Sequence, residues 1–233
     1  MKRFYRDVAL APVEGGWQVA LDGRKVRTPG GAPQVAPAEP LARALAAEWE
    51  AQGEALDPKS FPMRDMADYA IDVVAPAPHA VADTLIAYAE TDTLCYRAEP
   101  GEPLFERQEQ LWEPLLSAFE AREGAVFVRV SGIVHAQQDA RTLERLHTRV
   151  RAENPFRLAA LEAMSALSAS LVIGLTALAD TAAEEDAARE LWRAASLEEE
   201  WQAELWGRDQ EAEERRARRE ADFLAAWRFA RLV

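Results

Sequence analysis

Three side chains in the stretch Tyr88–Tyr96 (YAETDTLCY) carry the functional groups of an acid–base or nucleophilic site: Glu90, Asp92 and Cys95. Two carboxylates held close together can divide proton-transfer work if their environments push their ionisation apart. A thiol attacks only as thiolate, which needs a base or cation beside it. The nearest upstream histidine, His79, lies 16 residues away across a predicted helix. The same letters also describe a helix end, an Asx-type turn and a buried, inert thiol.

Other chemistries find less to work with. His79, His135 and His147 are the only histidines, and no two sit at the i, i+3 or i+4 spacing that lets one helix face grip a metal. Cys95 is the only cysteine, so no internal disulfide and no cysteine-based zinc cluster is expected. G-x-G-x-x-G, G-x-x-x-x-G-K-[ST], G-x-S-x-G and H-E-x-x-H are all missing from the sequence. No cofactor is therefore called for, and an ATP-driven cycle has no phosphate cradle.

A second group of residues suggests binding instead. Trp49, Trp112, Trp192, Trp201, Trp206 and Trp227 fall in predicted helices, and four of these lie in the last 42 residues. Residues 184–222 hold 14 acidic and seven basic side chains, so they supply over half of the net charge of −13. Indole rings beside carboxylates suit an apolar, Arg-bearing face of another protein. A solvated helix face laced with i, i+4 pairs such as Glu211–Arg215 and Glu214–Arg218 accounts for the same charges. The overall sign repels phosphate backbones and anionic membranes, so neither nucleic acid nor a membrane surface is an expected partner.

The elements that position these groups follow from periodicity. With 233 residues, 49% of them hydrophobic but 47 being Ala, the chain is large enough for one big domain or two small ones. Phe4–Val8 reads as a short strand. Trp17, Val19 and Leu21 alternate as a half-buried strand, Asp22-Gly23 supplies a tight turn, and Arg24–Arg27 returns. Gly15-Gly16 could alternatively form a ligand loop, although no helix follows it directly.

From Pro40 the period turns helical. Leu41, Leu45 and Trp49 mark one helix closed near Gly53, and Met63–Val74 forms a second with Met66, Ala70 and Val73 on one side. Ala75-Pro76-Ala77-Pro78 breaks the run and is the expected domain boundary. Beyond it, Ala125–Val134 (AVFVRVSGIV) is the exception among helices, an alternating strand that could return to the N-terminal sheet. Leu158–Ala179 reads as one apolar helix. Its uncharged part, 163–179, is about the minimum length for a membrane span but is diluted by Ser165, Ser168 and Ser170, so burial in a helical bundle is expected. Thr181 with Glu184, and Ser196 with Glu199, have capping-box spacing. The expected fold is thus α+β: a small N-terminal antiparallel-sheet/helix domain, residues 1–76, followed by a larger α-helical domain, residues 77–233.

Several ordered strings then make a resemblance visible. Lys2-Arg3-Phe4-Tyr5, Leu21-Asp22-Gly23-Arg24 with Thr28-Pro29, and Ala47-Glu48-Trp49-Glu50-Ala51-Gln52 resemble the N-terminal pattern of the F-type ATP synthase assembly chaperone family. The likeness continues through Ala70-Ile71-Asp72, Tyr88 to Thr91-Asp92, Leu94-Cys95-Tyr96-Arg97, Gln108 to Trp112-Glu113-Pro114-Leu115, and Gln202 to Trp206-Gly207. It implies a non-enzymatic, ATP-independent chaperone that binds the free alpha subunit of the catalytic sector until that subunit pairs with beta. It also implies partner-binding roles for Trp49 and for an acidic position just after Trp206-Gly207, carried here by Asp209 or Glu211. The physical reading of the residues adds Trp206 to that surface. A protein that is monomeric when free and cytoplasmic in a bacterium fits this reading, since the sequence begins without a signal peptide or import leader. Two alternatives remain: a small-molecule enzyme using Glu90 and Asp92, or a scaffolding bundle with another partner.

Overall fold

The sheet begins where bulky and β-branched residues alternate. In the computed structural model, which describes residues 1–132, 134–179 and 184–233, β1 (Val8–Val13) pairs antiparallel with β2 (Gly16–Leu21) from Val8↔Leu21 to Val13↔Gly16. The strand therefore starts at Val8. Phe4-Tyr5 precedes it and joins no ladder: the residues before them bond to the 54–56 segment, and the Arg6 and Asp7 N–H groups after them donate to Asp22 Oδ1.

Gly15-Gly16 closes this hairpin and is no ligand loop. At Gly16 (φ +151°) a Cβ would stand 2.1 Å from the Ala36 carbonyl oxygen, so only glycine lets the chain pass. Asp22 and Gly23 take positive φ (47° and 78°), as the predicted turn requires, and lead into β3 (Arg24–Lys25). Further along the same edge of β2 lies β4 (Val35–Ala36).

The first helix, α1 (Glu39–Glu50), packs Leu41, Leu45 and Trp49 on this sheet. A second, α2 (Pro62–Tyr69), runs into a π turn at Ala70–Val74, so the helical region has the expected extent but a widened last turn. Its buried side is Ala67, Ala70 and Val74 rather than Met66 and Val73, and Val73 is exposed. The chain then bends by 110° into α3 (Pro78–Glu90), and the proposed division into residues 1–76 and 77–233 falls at that bend.

Next comes a 3-10 turn at Thr93–Cys95, followed by β5 (Tyr96–Arg97) and the long α4 (Pro103–Glu123), ended by Gly124 in the left-handed region. The 125–131 segment corrects the expected strand. It alternates as predicted, with Ala125 and Phe127 buried and Val126 and Val128 exposed. It does not join the N-terminal sheet, however. Side chains occupy the backbone groups a ladder would use: Thr142 Oγ1 bonds both ways with Val126, Glu120 accepts from Phe127 N–H, and Gln138 brackets Val128. Only β6 (Val130–Ser131) pairs, in parallel with β5. Ile133 lies outside the described residues.

The helical remainder is α5 (Ala140–Arg151), α6 (Pro155–Ser168), α7 (Leu171–Ala179), α8 (Glu185–Ala195), α9 (Leu197–Trp206) and α10 (Gln210–Arg231). The expected single helix over 158–179 is two helices, broken at Ala169 in the left-handed region (φ 49°). No single helix among the described residues is long and apolar enough to cross a membrane. Ser196 makes no side-chain cap, because its backbone (φ −91°, ψ 8°) still belongs to the end of α8 and Glu199 is paired with Arg219. Thr181, and with it the Thr181–Glu184 box, lies outside the described residues. The buried second half of α10, from Phe223 to Ala230, packs on α6, α8 and α2. The core is thereby continuous from Tyr5 to Ala230, in an α+β fold.

Candidate functional site

The C-terminal segment builds an elbow. Gly207 (φ 95°) stops α9, and Asp209 caps α10 by accepting from Ala212 N–H at 2.9 Å. Along α9 no residue is buried, and at its tip Leu205 and Trp206 are 59% and 79% exposed. Trp206, Gly207, Asp209 and the facing side of α10 line a concavity of about 360 Å³. A large ring left in water at a helix tip is the unusual observation, since scattered smaller apolar groups are normal on a surface.

The carboxylates here are already engaged. Glu199 pairs with Arg219 at 2.6 Å, Glu200 with both Arg208 and Arg216, Glu213 with Arg208 at 3.0 Å, and Glu211 with Arg215 at 2.6 Å. Glu214–Arg218 also forms, at 4.0 Å. The surface is therefore a ladder of exposed ion pairs around one indole rather than an open acidic patch. Such pairs are worth little each and exchange readily.

Not every Trp of the segment belongs to this surface. Trp192 is a core residue packed on Phe223 at 5.7 Å, and Trp201 is covered by the Arg107 guanidinium at 4.6 Å. Only Trp206 stays open.

Trp49 sits far from the elbow in the chain and in different packing. Only 7% exposed, it stands edge-on to Tyr5 (5.5 Å) and 4.7 Å from Phe61, and its carbonyl accepts from the Tyr5 hydroxyl at 2.6 Å. It also lines a surface concavity beside the β2–β3 turn. The structure thus gathers Trp206, Asp209 and Glu211 in one neighbourhood and leaves Trp49 in the N-terminal core.

The acid–base candidates do not converge. Glu90 is exposed at the end of α3. Asp92 is fully buried: its Oδ1 accepts from Leu94 N–H and Ser170 Oγ–H, and its Oδ2 accepts from Val172 N–H in the first turn of α7. Burial outweighs these donors and pushes its carboxyl up to about 6. Cys95 is buried too, and desolvation drives its thiol upward, away from thiolate. Asp92 is a cap for two elements, and no cavity described here is lined by these three residues. The histidines are equally dispersed: His79 contacts Arg151, His135 contacts Tyr96, and His147 contacts Asp83. Among the described residues no three His, Cys, Asp or Glu side chains could hold a metal.

Comparison with known proteins decides the family. The model of the ATP12 chaperone protein family matches residues 2–120, just over half of the chain. The chain belongs to that family. It is the ATP synthase assembly chaperone family that the ordered strings resembled. Over the full length, the crystal structure of Atp12 from Paracoccus denitrificans is 38% identical, with a TM-score of 0.92 covering 99% of this chain and 97% of that one. The Atu1473 protein of Agrobacterium tumefaciens, described as a candidate chaperone, is 37% identical at a TM-score of 0.92, covering 99% and 85%. Among curated relatives, the mitochondrial protein atp12 of Schizosaccharomyces pombe is 26% identical over 225 residues, 91% of this chain and 76% of that protein. The family match ends before the elbow, which the whole-chain structural likeness covers.

One polar cluster has no counterpart in the sequence reading. Arg97, almost wholly buried, is gripped by Glu109 and Glu113, and Glu113 also holds Arg129, which reaches Glu120 at 2.5 Å. The hydrogen bond from Arg129, followed by those from Arg97 and Ser117, holds the Glu113 carboxyl down to about 2 against the pull of partial burial. This cluster ties β5 and β6 to α4, a structural task. The i, i+4 spacing of Glu109 and Glu113 was its only trace in the sequence.

Proposed function

We propose that this chain captures the free alpha subunit of F-type ATP synthase, covers its partner-facing surface and releases it to beta without nucleotide turnover. The observation that supports this reading best is the exposed Trp206, with Leu205, set inside a frame of exchangeable ion pairs at the α9–α10 elbow. An unpaired alpha subunit presents an apolar face bearing Arg, and faces of that kind aggregate when uncovered. The indole covers apolar area. An incoming guanidinium can replace Arg215 on Glu211, or stack on the ring, at little cost because the outgoing pair was exposed. Release needs only a permanent interface larger and better packed than the temporary one.

Between the two acidic candidates, Asp209 spends its carboxylate on the cap of α10, so Glu211 is the one we assign to the partner. Trp49 then acts mainly by holding the N-terminal core in shape. A monomer in a reducing bacterial cytoplasm is part of the same proposal and accords with a single buried thiol.

Co-expression with the alpha subunit of the same organism should keep that subunit soluble and co-purify it on size exclusion. Glu211→Lys should reduce the recovered complex while leaving the far-UV circular dichroism and unfolding midpoint of the chaperone unchanged. Undiminished aggregation of alpha, with no complex, would sink the capture reading. Normal capture by Glu211→Lys would reduce the elbow charges to a solvated face.

A further inference from the structure

The protein carries an excess of 13 negative charges, and most of its arginines are neutralised by its own carboxylates. Residues 1–29 break that rule. None of Lys2, Arg3, Arg6, Arg24, Lys25 and Arg27 takes part in an ion pair among the described residues, although 40 acidic residues are available in the chain. Arg24, Lys25 and Arg27 line the concavity that Trp49 also lines, about 590 Å³ in volume. Asp22 is its one acidic lining residue, and that carboxylate is already engaged by the backbone N–H groups of Arg6 and Asp7, so the rim keeps a net positive charge.

The floor of this concavity is apolar. Tyr5, Leu21 and Trp49 form it, and Phe4, 64% exposed and edge-on to Tyr5 at 5.3 Å, stands at its side. One donor is left over. The indole N–H of Trp49 is buried and has no acceptor anywhere in the protein. Buried N–H groups are nearly always paired, and leaving one unmade is costly. A cationic rim and an aromatic floor ask for the same thing: a negatively charged chain with an apolar anchor.

We infer that this concavity is a second docking site, and that its occupant is an extended acidic segment of a partner protein with one aromatic or branched apolar side chain. The acidic side chains pair with Arg24, Lys25 and Arg27, and the anchor covers Leu21 and Tyr5 beside Phe4 and the edge of Trp49. The net charge of −13 favours a short acidic peptide over a long polyanion, which would meet the repulsion of the whole molecule. At the elbow carboxylates and arginines are paired with one another, whereas Arg24, Lys25 and Arg27 make no ion pair among the described residues, so the two surfaces select different segments. The inference goes beyond the capture reading and does not need the alpha subunit to be the partner.

The test uses the full chain and a fluorescein-labelled nine-residue peptide of alternating Asp/Glu and Leu with a central Phe, read by fluorescence anisotropy. The expected result is saturable binding that weakens at least tenfold in Arg24→Glu/Lys25→Glu and falls as salt is raised. The distant double reversal Arg141→Glu/Arg193→Glu, which changes net charge equally, should leave it unchanged. In a proton–nitrogen correlation spectrum the peptide should shift the indole signal that disappears in Trp49→Phe, which identifies the site even if the affinity is low.

Three results would overturn the inference: no binding, equal binding of a peptide with Asp/Glu replaced by Ser, or equal loss in both double reversals. Tighter binding of a single-stranded DNA oligomer than of the peptide would also overturn it, by assigning the rim to polyanions. Because the alpha subunit is absent from the assay, failure here leaves the capture reading standing, and the converse holds.

Discussion

Replacing Asp92 by Asn removes one charge from the only fully buried carboxylate among the described residues and leaves side-chain size almost unchanged. In the native protein burial lifts this carboxyl from 3.8 to about 6, against the pull of Val172 N–H, Ser170 Oγ–H and Leu94 N–H. Below pH 4 both folded and unfolded chains hold the proton, and the group costs nothing. Between pH 4 and 6 the unfolded chain ionises while the folded one keeps its proton, so stability falls as pH rises; above 6 the loss is complete and constant. The gap corresponds to about 3 kcal/mol.

Asparagine does not titrate. It loses one acceptor oxygen, an offset of about 1–3 kcal/mol that is the same at every pH. Guanidinium unfolding of wild type and Asp92→Asn, followed by circular dichroism from pH 4 to pH 7.5, should therefore show the variant gaining on the wild type by about 2–3 kcal/mol as pH rises. Using the difference cancels all other titrating groups, including the low-lying Glu113. A difference that stays flat, or that moves the other way, would show that the donors around Asp92 stabilise its anion fully and that burial is not the dominant influence.

Three further outcomes are expected. Gly16→Ala would force a Cβ against the Ala36 carbonyl oxygen at a φ of +151°, so it should cost about 2–3 kcal/mol in urea unfolding and loosen β4 from β2. Ala169→Gly should stabilise by about 0.5–1 kcal/mol, raising the thermal midpoint, because the residue stands in the left-handed region where Ala is strained. Trp206→Ala should change stability by less than about 0.5 kcal/mol, yet weaken alpha-subunit capture by about 30-fold if the ring is an interface hot spot, measurable by titration calorimetry or co-purification.

What the sequence made legible was what neighbours in the chain decide. Asp22-Gly23 dictates its turn through the φ angles those two residues tolerate, and Leu41, Leu45 and Trp49 line up on α1 through helical spacing alone. What it hid was decided by distant partners. The break at Ala169 carries no glycine or proline signal. It is held open by Asp92, whose carboxylate bonds Ser170 and Val172 from 78 and 80 positions away. The alternation of Ala125–Val128 was readable, but alternation states which side chains face inward and not which backbone will pair. Here Thr142, Gln138 and Glu120 took the ladder's place. The elbow was half readable. Asp209, Glu211 and Trp206 are close in sequence, but nothing local distinguishes the solvent-facing Trp206 from Trp192, which is buried on Phe223.

Closure of the core by α10 bears on how the protein is made. This helix packs on α2, α6, α7 and α8 through a buried run that includes Phe223, Leu224, Trp227 and Phe229, residues separated from α2 by more than half the chain. Until the ribosome has delivered them, the nascent polypeptide keeps those apolar stretches in water with nothing to cover them, so its slowest and most aggregation-exposed stage is set by non-local contact formation. A member of a chaperone family thus passes through a vulnerable interval of its own during synthesis. Shortening the wait, by circularly permuting the chain so that the α10 segment is translated first, should raise the soluble yield.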